Sequence, residues 1–203
     1  YGSRGLNTVV VYQDATAVGV IGLSEKIVLE AKGAVAGLKK MHIKPIIISG
    51  DRPDRVANVA NELGVAEYFG HVQPEQKLAF IADAITNGQH VAMVGDGVND
   101  AAALAAAHLS IAMGDGTDVA ASAADIVLLQ SNMQAAVSAI QISRSTMRTI
   151  RYNLVWAFGY NIAAIPLAML GLLNPMLAAG AMAFSSVFLV TNSLRLRKFR
   201  PNV

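Results

Sequence analysis

The order of apolar and polar positions divides this chain into two parts of different character. Residues 1–152 alternate short apolar runs with polar segments, as a water-exposed α/β protein does. Residues 153–194 lack charged side chains. The chain is 54% hydrophobic and only 15% charged, and most of that imbalance lies in its last third. The pattern therefore predicts an α/β part joined to a membrane part.

The first part predicts an alternation of strands and helices. Two β-rich runs over residues 6–23, split by a polar turn at Gln13 and Asp14, indicate a hairpin or two adjacent strands. Helices are predicted over residues 29–41, 53–63, 75–87, 99–107 and 118–123, and strands over 43–48, 67–70, 90–94, 108–112 and 125–129. This spacing is typical of a parallel, doubly wound sheet, which binds ligands at the carboxyl ends of its strands.

The last third predicts a transmembrane hairpin. A helix over residues 132–151 with a basic face leads into residues 153–173, whose length of roughly 31 Å as a helix matches a bilayer core. A turn at 171–175 precedes a second apolar segment over 176–194. Basic residues at both outer ends place both ends in the cytoplasm. They are Arg144, Arg148 and Arg151 before the hairpin, and Arg195, Arg197, Lys198 and Arg200 after it. The alternative is a buried core hairpin of a soluble protein.

Composition excludes some functions. The chain has no cysteine, so disulfides, cysteine metal sites and cysteine nucleophiles are absent from these residues. The net charge of +2 is weak, and no basic run is interleaved with aromatic residues, so we expect no nucleic-acid partner. The chain starts at Tyr1 rather than Met, which leads us to expect a fragment or a processed product.

Three polar groups fall at predicted strand ends or helix starts. Ser49, Gly50 and Asp51 follow one strand, and Lys77 lies at a helix start. The stretch VAMVGDGVNDAAAL, residues 91–104, brings Gly95, Asp96, Gly97, Asn99 and Asp100 to another strand end. Carboxylate and amide oxygens suit Mg²⁺. Phosphoryl transfer needs such a cation together with a lysine and hydrogen-bond donors for the phosphate oxygens.

The order of these motifs resembles the phosphorylation domain of P-type ATPases in the haloacid dehalogenase superfamily. ISGD, PEQK and MVGDGVNDAAAL are followed in family order by IAMGDGTDVA, AADIVLL and SRSTMRTIRYNLVWAFGYN. The resemblance implies that Ser49 and Gly50 hold the phosphate, with Asp51 beside them, and that Lys77 contacts it. It also implies that Asp96 binds Mg²⁺ and that Asn99 and Asp100 arrange the site, Asp100 as a further magnesium ligand. Gly95 and Gly97 are the predicted cofactor-contacting glycines, and ATP and Mg²⁺ the expected cofactors.

The resemblance divides the chain into three parts and leaves the catalytic centre incomplete. Residues 1–23 correspond to the end of a nucleotide-binding domain, 24–131 to the carboxy-terminal part of the phosphorylation domain, and 132–203 to a linker helix and two transmembrane helices. The DKTGT motif that carries the phosphorylated aspartate is absent, as are TGES and Cys-Pro-Cys. We therefore expect a haloacid dehalogenase-like parallel sheet that lacks its nucleophile strand, and no ATPase activity from the isolated chain.

Several positions depart from the family pattern. Ser49 stands where threonine is usual, Ala102 where proline is usual, and His108 where aspartate is usual. Residues 25–28, EKIV, replace an Asp-x-x-Arg/Lys hinge signature. These changes are also what an inactive, truncated remnant would show.

Polar residues within the apolar segments predict a path for a soft metal ion. Tyr160 and Asn161 lie in the first segment, close to Pro166, and Met182 and Ser186 lie one helical turn apart in the second. A thioether favours Cu(I) over Mg²⁺ or Ca²⁺. The alternative is helix packing by small and hydroxyl residues. GYN followed by MAFSS resembles the copper(I)-transporting subclass, which implies a copper site of Tyr160, Asn161, Met182 and Ser186.

The sequence as a whole thus predicts part of an ATP-driven exporter of Cu(I) that works through an aspartyl-phosphate. We expect an integral protein of the plasma membrane that contacts lipid and metal ion, with a copper chaperone as a candidate partner. The alternatives are an inactive remnant and a membrane-anchored phosphatase of the dehalogenase superfamily. The phosphatase needs an Asp-x-Asp nucleophile motif, which this sequence lacks.

Overall fold

A computed structural model describes residues 7–23, 26–96, 98–114, 122, 124–129 and 132–201. It contains two compact units, one within residues 1–137 and one within residues 138–202. The domain boundaries predicted at residues 24 and 132 stay predictions. Gly97 lies outside the described residues, and so does the predicted short helix over 118–123 except for residue 122.

The first unit begins with an antiparallel hairpin of β1 (Asn7–Gln13) and β2 (Thr16–Leu23). Gln13 pairs with Thr16, so the loop has two residues, Asp14 and Ala15. Both have positive φ, 45° and 65°, as the type I′ turn of a tight hairpin requires. The predicted strand pair is therefore a hairpin.

The next segment builds one parallel strand pair. Helix α1 (Leu29–Lys40) leads to β3 (Ile46–Ile48), which is followed by α2 (Pro53–Leu63) and β4 (Glu67–Phe69). Strands β3 and β4 pair in parallel, with Ile47 opposite Tyr68. Pro53 begins α2 because its fixed φ suits the first turn, and Gly64 ends it at a φ of 70°.

A second parallel sheet follows. Helix α3 (Pro74–Thr86) precedes β5 (Ala92–Gly95), and a 3₁₀ turn (Val98–Asp100) then runs into α4 (Ala101–Ala106). Strands β6 (Leu109–Ala112) and β7 (Ile126–Val127) complete the order β5-β6-β7, all parallel. The predicted parallel strands are confirmed, but among the described residues they form two separate sheets rather than one.

The core of the first unit lies beneath these two sheets in separate clusters. Val35 of α1 and Ala60 of α2 pack with Val65, against the partly buried Ile47 of β3. Leu104 of α4 packs with Ala112 of β6, and Ile111 packs with Leu128 and Ala136. Each sheet is thus anchored by helices that flank it in sequence, which fixes the positions of its strand ends.

The second unit is helical. Helix α5 (Met133–Met169) runs without interruption through the predicted linker helix and first apolar segment, and Pro166 lies inside it. Helix α6 (Pro175–Leu194) starts with an N-cap, where the Asn174 side chain accepts a hydrogen bond from the Met176 N–H. A 3₁₀ turn (Arg195–Lys198) follows. Within the described residues, no helix combines the length and the apolarity that crossing a membrane requires, so the predicted transmembrane hairpin is not confirmed.

Candidate functional site

Ser49 is held by its backbone at the carboxyl end of β3. Its N–H donates to the Phe69 carbonyl at 2.9 Å, and its own carbonyl accepts from the Val72 N–H at 3.0 Å. The Ser49 Oγ accepts from the Asp51 N–H at 3.1 Å. Because that bond uses the hydroxyl only as an acceptor, its proton remains available to a ligand oxygen.

Asp51 continues this loop and connects it to the loop after β4. Its carbonyl accepts from the His71 N–H at 2.6 Å, and its carboxylate lies 3.4 Å from Arg55. Gly70 makes the close approach between the loops feasible, since a Cβ there would lie 2.6 Å from Pro53 Cα. The predicted Ser49-Gly50-Asp51 group is therefore a backbone-fixed turn, with Gly50 exposed within it.

Lys77 and Asp100 form a largely buried ion pair. The Lys77 Nζ lies 2.7 Å from Asp100 Oδ1, and the two side chains are only 14% and 12% exposed. Lys77 is placed by the first turn of α3, which Pro74 begins and which Gln73 and Gln76 close with a capping box. The structure thus brings together two residues predicted to share the site but 23 positions apart.

Gly95 determines how closely Asp100 approaches the end of β5. A Cβ on Gly95 would lie 2.8 Å from the Asp100 Cβ and 2.9 Å from its Oδ2, which is closer than real Cβ contacts come. Only glycine at position 95 therefore leaves room for Asp100 to lie against the end of β5 and contact Lys77. The sequence assigned Gly95 to cofactor contact, and the structure gives it this steric role.

Asp96 and Asn99 are exposed beside the buried Asp100. Within the described residues, no hydrogen bond or ion pair engages the Asp96 carboxylate, and no cluster of three or more His, Asp or Glu side chains could hold a metal ion. Mg²⁺ characteristically keeps several waters and takes one or two carboxylates. A free carboxylate on Asp96 with the amide of Asn99 fits that donor set. Asp100 already shares one of its oxygens with Lys77.

Helix α3 contacts elements of both sheets. Phe80 packs against Phe69 of β4 with ring centroids 5.0 Å apart, and Lys77, one turn earlier, reaches Asp100. Among the described residues, no hydrogen bond or ion pair joins the Ser49 turn directly to Asp96 or Asp100. The predicted site is therefore present as two groups at two strand ends, with α3 in contact with both sides.

A further polar pair, which sequence reasoning did not single out, joins β6 to the start of β7. Asp125 Oδ2 accepts from the Ser110 N–H at 2.8 Å and from the Ser110 hydroxyl at 2.7 Å, while the Asp125 N–H donates to Ser110 Oγ at 2.9 Å. The backbone bond, then the hydroxyl bond, hold the pKa of Asp125 below its ordinary value against a smaller opposing effect of desolvation. This pair links β6 directly to the residue that precedes β7.

In the second unit, the two helices that carry the predicted metal ligands are joined by a hydrogen-bonded group of side chains. Asn153 Nδ2 donates to Ser193 Oγ at 3.0 Å, and Asn192 Nδ2 donates to Asn153 Oδ1 at 2.7 Å. We call these three residues the asparagine clasp. At 1.5 Å per residue, Asn161 lies about 12 Å along α5 from the clasp, and Ser186 about 9 Å along α6.

The side chains of Asn161 and Ser186 are each hydrogen-bonded within their own helix. Asn161 Nδ2 donates to the Ala157 carbonyl at 2.8 Å, and Ser186 Oγ donates to the Met182 carbonyl at 3.1 Å. Met182 is 60% exposed. Among the described residues, no hydrogen bond joins Tyr160 or Asn161 to Ser186, so hydrogen bonding does not assemble the predicted copper ligands.

Comparison with known proteins identifies the family. A model described as haloacid dehalogenase-like hydrolase matches residues 2–108, and a second of that description matches residues 78–140. The chain is 48% identical over 197 residues to a copper-exporting P-type ATPase of Mycobacterium tuberculosis, which covers 97% of the chain and 26% of that protein. It is 45% identical over 197 residues to the cation-transporting P-type ATPase B of Mycobacterium leprae, again 97% of the chain and 26% of that protein.

Solved structures of P-type ATPases are also similar to this chain. A zinc-transporting PIB-type ATPase in the E2.Pi state superposes with a TM-score of 0.84 at 34% identity, covering 96% of this chain and 32% of that one. The catalytic CPx-ATPase domain CopB-B matches with a TM-score of 0.52 at 35% identity, over 63% of this chain and 51% of that one. The chain spans about a quarter of the length of the curated relatives. These matches confirm the resemblance that the motifs indicated: the chain belongs to the haloacid dehalogenase-like hydrolases, with P-type ATPases as its relatives.

Proposed function

We propose that this chain serves an ATP-driven exporter of Cu(I), to which it contributes magnesium and phosphate ligands and part of the metal path. The observation that carries the proposal is the Lys77–Asp100 contact of 2.7 Å beside an exposed Asp96. Phosphoryl transfer uses a lysine at the phosphate oxygens and a carboxylate-held metal ion, and a fixed Lys77 beside an exposed Asp96 suits these two roles. The phosphorylated aspartate would lie outside the 203 residues, because no DKTGT motif occurs in them.

Lys77 and Ser49 are the proposed phosphate ligands. The Lys77 ammonium has three donors and gives one to Asp100, so two remain for phosphate oxygens. Asp100 fixes the ammonium in place and so lowers the ordering cost when phosphate binds. The Ser49 hydroxyl and the Gly50 N–H would donate from the β3 turn. When bound at Asp96, Mg²⁺ would neutralise charge on the transferred phosphoryl group.

We further propose that the second unit enters the plasma membrane as a helical hairpin with both ends cytoplasmic. The support is the large apolar surface that its helices leave exposed. Val155, Ile162, Phe184, Val187 and Val190 are each more than 60% exposed. Exposed apolar surface on this scale marks membrane or protein contact. The relatives are transport ATPases, and lipid is the covering that fits their class.

Cu(I) is the proposed substrate, with Tyr160, Asn161, Met182 and Ser186 along its path. The thioether of Met182 is a soft ligand and exposed. The first relative is named copper-exporting at 48% identity, whereas the zinc-transporting structure is 34% identical. A copper chaperone remains a candidate partner under the same proposal.

The identity of the transported ion can be tested by measuring metal-stimulated ATP hydrolysis in a longer protein that contains this chain. We expect stimulation by Cu⁺ and not by Zn²⁺. Met182→Leu should raise the Cu⁺ concentration for half-stimulation by at least about tenfold, since changes even beyond the ligands cost 10- to 100-fold in metal affinity. Met176→Leu is the matched control, because Met176 is 84% exposed at the far end of α6. Stimulation by Zn²⁺ alone would refute the copper proposal.

Phosphorylation by labelled ATP separates the proposal from its alternatives. In the longer protein, Lys77→Met and Asp96→Asn should each lower the rate of phosphoenzyme formation by about 100-fold or more, the usual cost of removing an electrostatic contact to the reacting group. The 203-residue chain alone should form no acyl-phosphate. Labelling of that chain, or phosphatase activity from it, would favour the membrane-anchored phosphatase instead. An unlabelled longer protein would favour the inactive remnant.

A further inference from the structure

The second unit carries cations without any anion. From residue 138 to the end of the chain there is no aspartate or glutamate. Seven basic residues lie in the same stretch: Arg144, Arg148, Arg151, Arg195, Arg197, Lys198 and Arg200. No carboxylate side chain of this unit can therefore pair with them.

Three of these cations converge on one pocket. A cavity of about 580 Å³ lies between α5, α6 and the 3₁₀ turn. Arg148 of α5 lines it together with Arg195 and Lys198 of the turn. Trp156 and Phe188 form an apolar wall, with ring centroids 4.9 Å apart. The pocket thus has a cationic side and an aromatic side.

The asparagine clasp fixes the shape of this pocket. Asn192 lines the cavity itself, and its bond of 2.7 Å to Asn153 ties α6 to α5 beside it. Ser145, only 9% exposed, also lines it. Two helices joined at this point can hold their cations at set positions, which lowers the ordering cost for a ligand.

We propose that this pocket binds the phosphate headgroup of an anionic phospholipid. The phosphate would lie against Arg148, Arg195 and Lys198, and the start of an acyl chain would lie against Trp156 and Phe188. The inference rests on the proposed membrane insertion of the second unit and adds a defined lipid site to it. Basic pockets between helices at the cytoplasmic side of a membrane have the charge and location for such headgroups.

The lining favours a lipid over a free anion. Inorganic phosphate would use the cations but leave the aromatic wall exposed to water. Val155, also at the pocket, is 71% exposed, and Trp156 is 43% exposed. A ligand with one anionic end and one apolar end satisfies both sides, and apolar burial adds to the charge attraction.

Trp156 provides the probe, because it is the only tryptophan in the chain and lines the pocket. The full chain is reconstituted in phosphatidylcholine vesicles that contain a minor fraction of phosphatidylglycerol. Bromine, a fluorescence quencher, is placed on the acyl chains of one lipid or the other at equal mole fraction. We expect brominated phosphatidylglycerol to quench Trp156 as though enriched at least about fivefold, the factor that one cation near an anionic surface contributes.

Two triple variants of equal charge separate a site from a general basic surface. Arg148→Gln, Arg195→Gln and Lys198→Gln together should abolish the preference for phosphatidylglycerol. Arg151→Gln, Arg197→Gln and Arg200→Gln remove the same charge outside the pocket lining and should preserve it. Quenching by brominated phosphatidylcholine, retained in both, shows that the variants are inserted.

Each other outcome overturns the proposal in a distinct way. Equal preference in the two triple variants would mean diffuse electrostatics without a site. Loss of the preference on adding millimolar inorganic phosphate, at constant ionic strength, would assign the pocket to a soluble anion. Absence of quenching by either brominated lipid would refute membrane insertion itself, and with it the proposal that the lipid site rests on. None of these readouts needs ATP or copper, so they are independent of the transport proposal.

Discussion

The packing of Gly95 against Asp100 can be tested by adding one methyl group. In Gly95→Ala, the new Cβ would lie 2.8 Å from Asp100 Cβ and 2.9 Å from Oδ2. Because carbon atoms pack at about 3.5–4.0 Å, Asp100 or the end of β5 must move by about 0.7–1.2 Å. Lys77 Nζ is 2.7 Å from Asp100 Oδ1, so a shift of that size away from Lys77 brings the contact to or past the limit of a hydrogen bond, about 3.5 Å.

The expected cost has two parts. Forcing a methyl group into a packed contact costs about 1–3 kcal/mol. The pair is 14% and 12% exposed, so weakening it costs more than the 0–1 kcal/mol of a surface ion pair, although less than the roughly 3–5 kcal/mol of a fully broken buried pair. We expect a local loss of about 2–4 kcal/mol. In a Lys77→Met background the pair is already gone, so Gly95→Ala should cost only the packing part.

Hydrogen exchange of the full chain measures the local loss of stability caused by Gly95→Ala. The free energy of opening is compared for peptides that cover α3 and β5, with a peptide from helix α6 as internal reference. Gly19→Ala is the matched control, since a Cβ there meets nothing within 4 Å, and it should change exchange by less than about 0.5 kcal/mol. The cost of the double variant is then compared with the sum of the costs of Gly95→Ala and Lys77→Met. Agreement to within about 0.5 kcal/mol would refute the argument that the methyl group acts through the ion pair.

Two further changes probe the polar links outside the site. The folded pKa of Asp125 lies below its ordinary value of 3.8, so its bonds to Ser110 stabilise the fold fully above that value and are lost as pH falls through it towards the folded pKa. Asp125→Asn should therefore lower the urea midpoint at about pH 6 and lessen its fall on acidification from about pH 5 to pH 3, followed by circular dichroism; an unchanged acid dependence would contradict this. Asn153→Ala removes both bonds of the asparagine clasp at a cost of about 1 kcal/mol, and should increase acrylamide quenching of Trp156, whereas Asn174→Ala, at the other end of α6, should not.

The helix bounds that the sequence predicted well are those with explicit stop signals. Helix α2 runs from Pro53 to Leu63, as predicted, because proline and Gly64 act on the backbone itself. The linker helix predicted over residues 132–151 and the first apolar segment form one continuous helix, α5, from Met133 to Met169. The sequence showed where charged residues end, and loss of charge does not interrupt backbone hydrogen bonding.

Contacts between distant residues account for what the sequence could not predict in the first unit. Lys77 and Asp100 were assigned to one site by motif order, but their direct pairing depends on the packing of α3 against the turn after β5. Ser110 and Asp125 occupy ordinary strand positions, so nothing in their local sequence marks a polar pair. His90 and His108 likewise pack with ring centroids 5.1 Å apart, although each is isolated in sequence.

The division of the parallel sheet bears directly on the proposed mechanism. Among the described residues, β3 pairs only with β4, and β5 pairs only with β6. The two groups of predicted site residues follow these two strands, Ser49 after β3 and Asp96 after β5. The resemblance to the haloacid dehalogenase superfamily implies a nucleophile strand at the centre of the sheet. A strand between β3 and β5 would carry its aspartate between the proposed phosphate ligands on one side and the proposed magnesium ligand on the other. Strand edges left unpaired are also prone to pair with other chains. The same feature therefore accounts for the expected inactivity of the isolated chain and predicts which two strands a complementing segment would join.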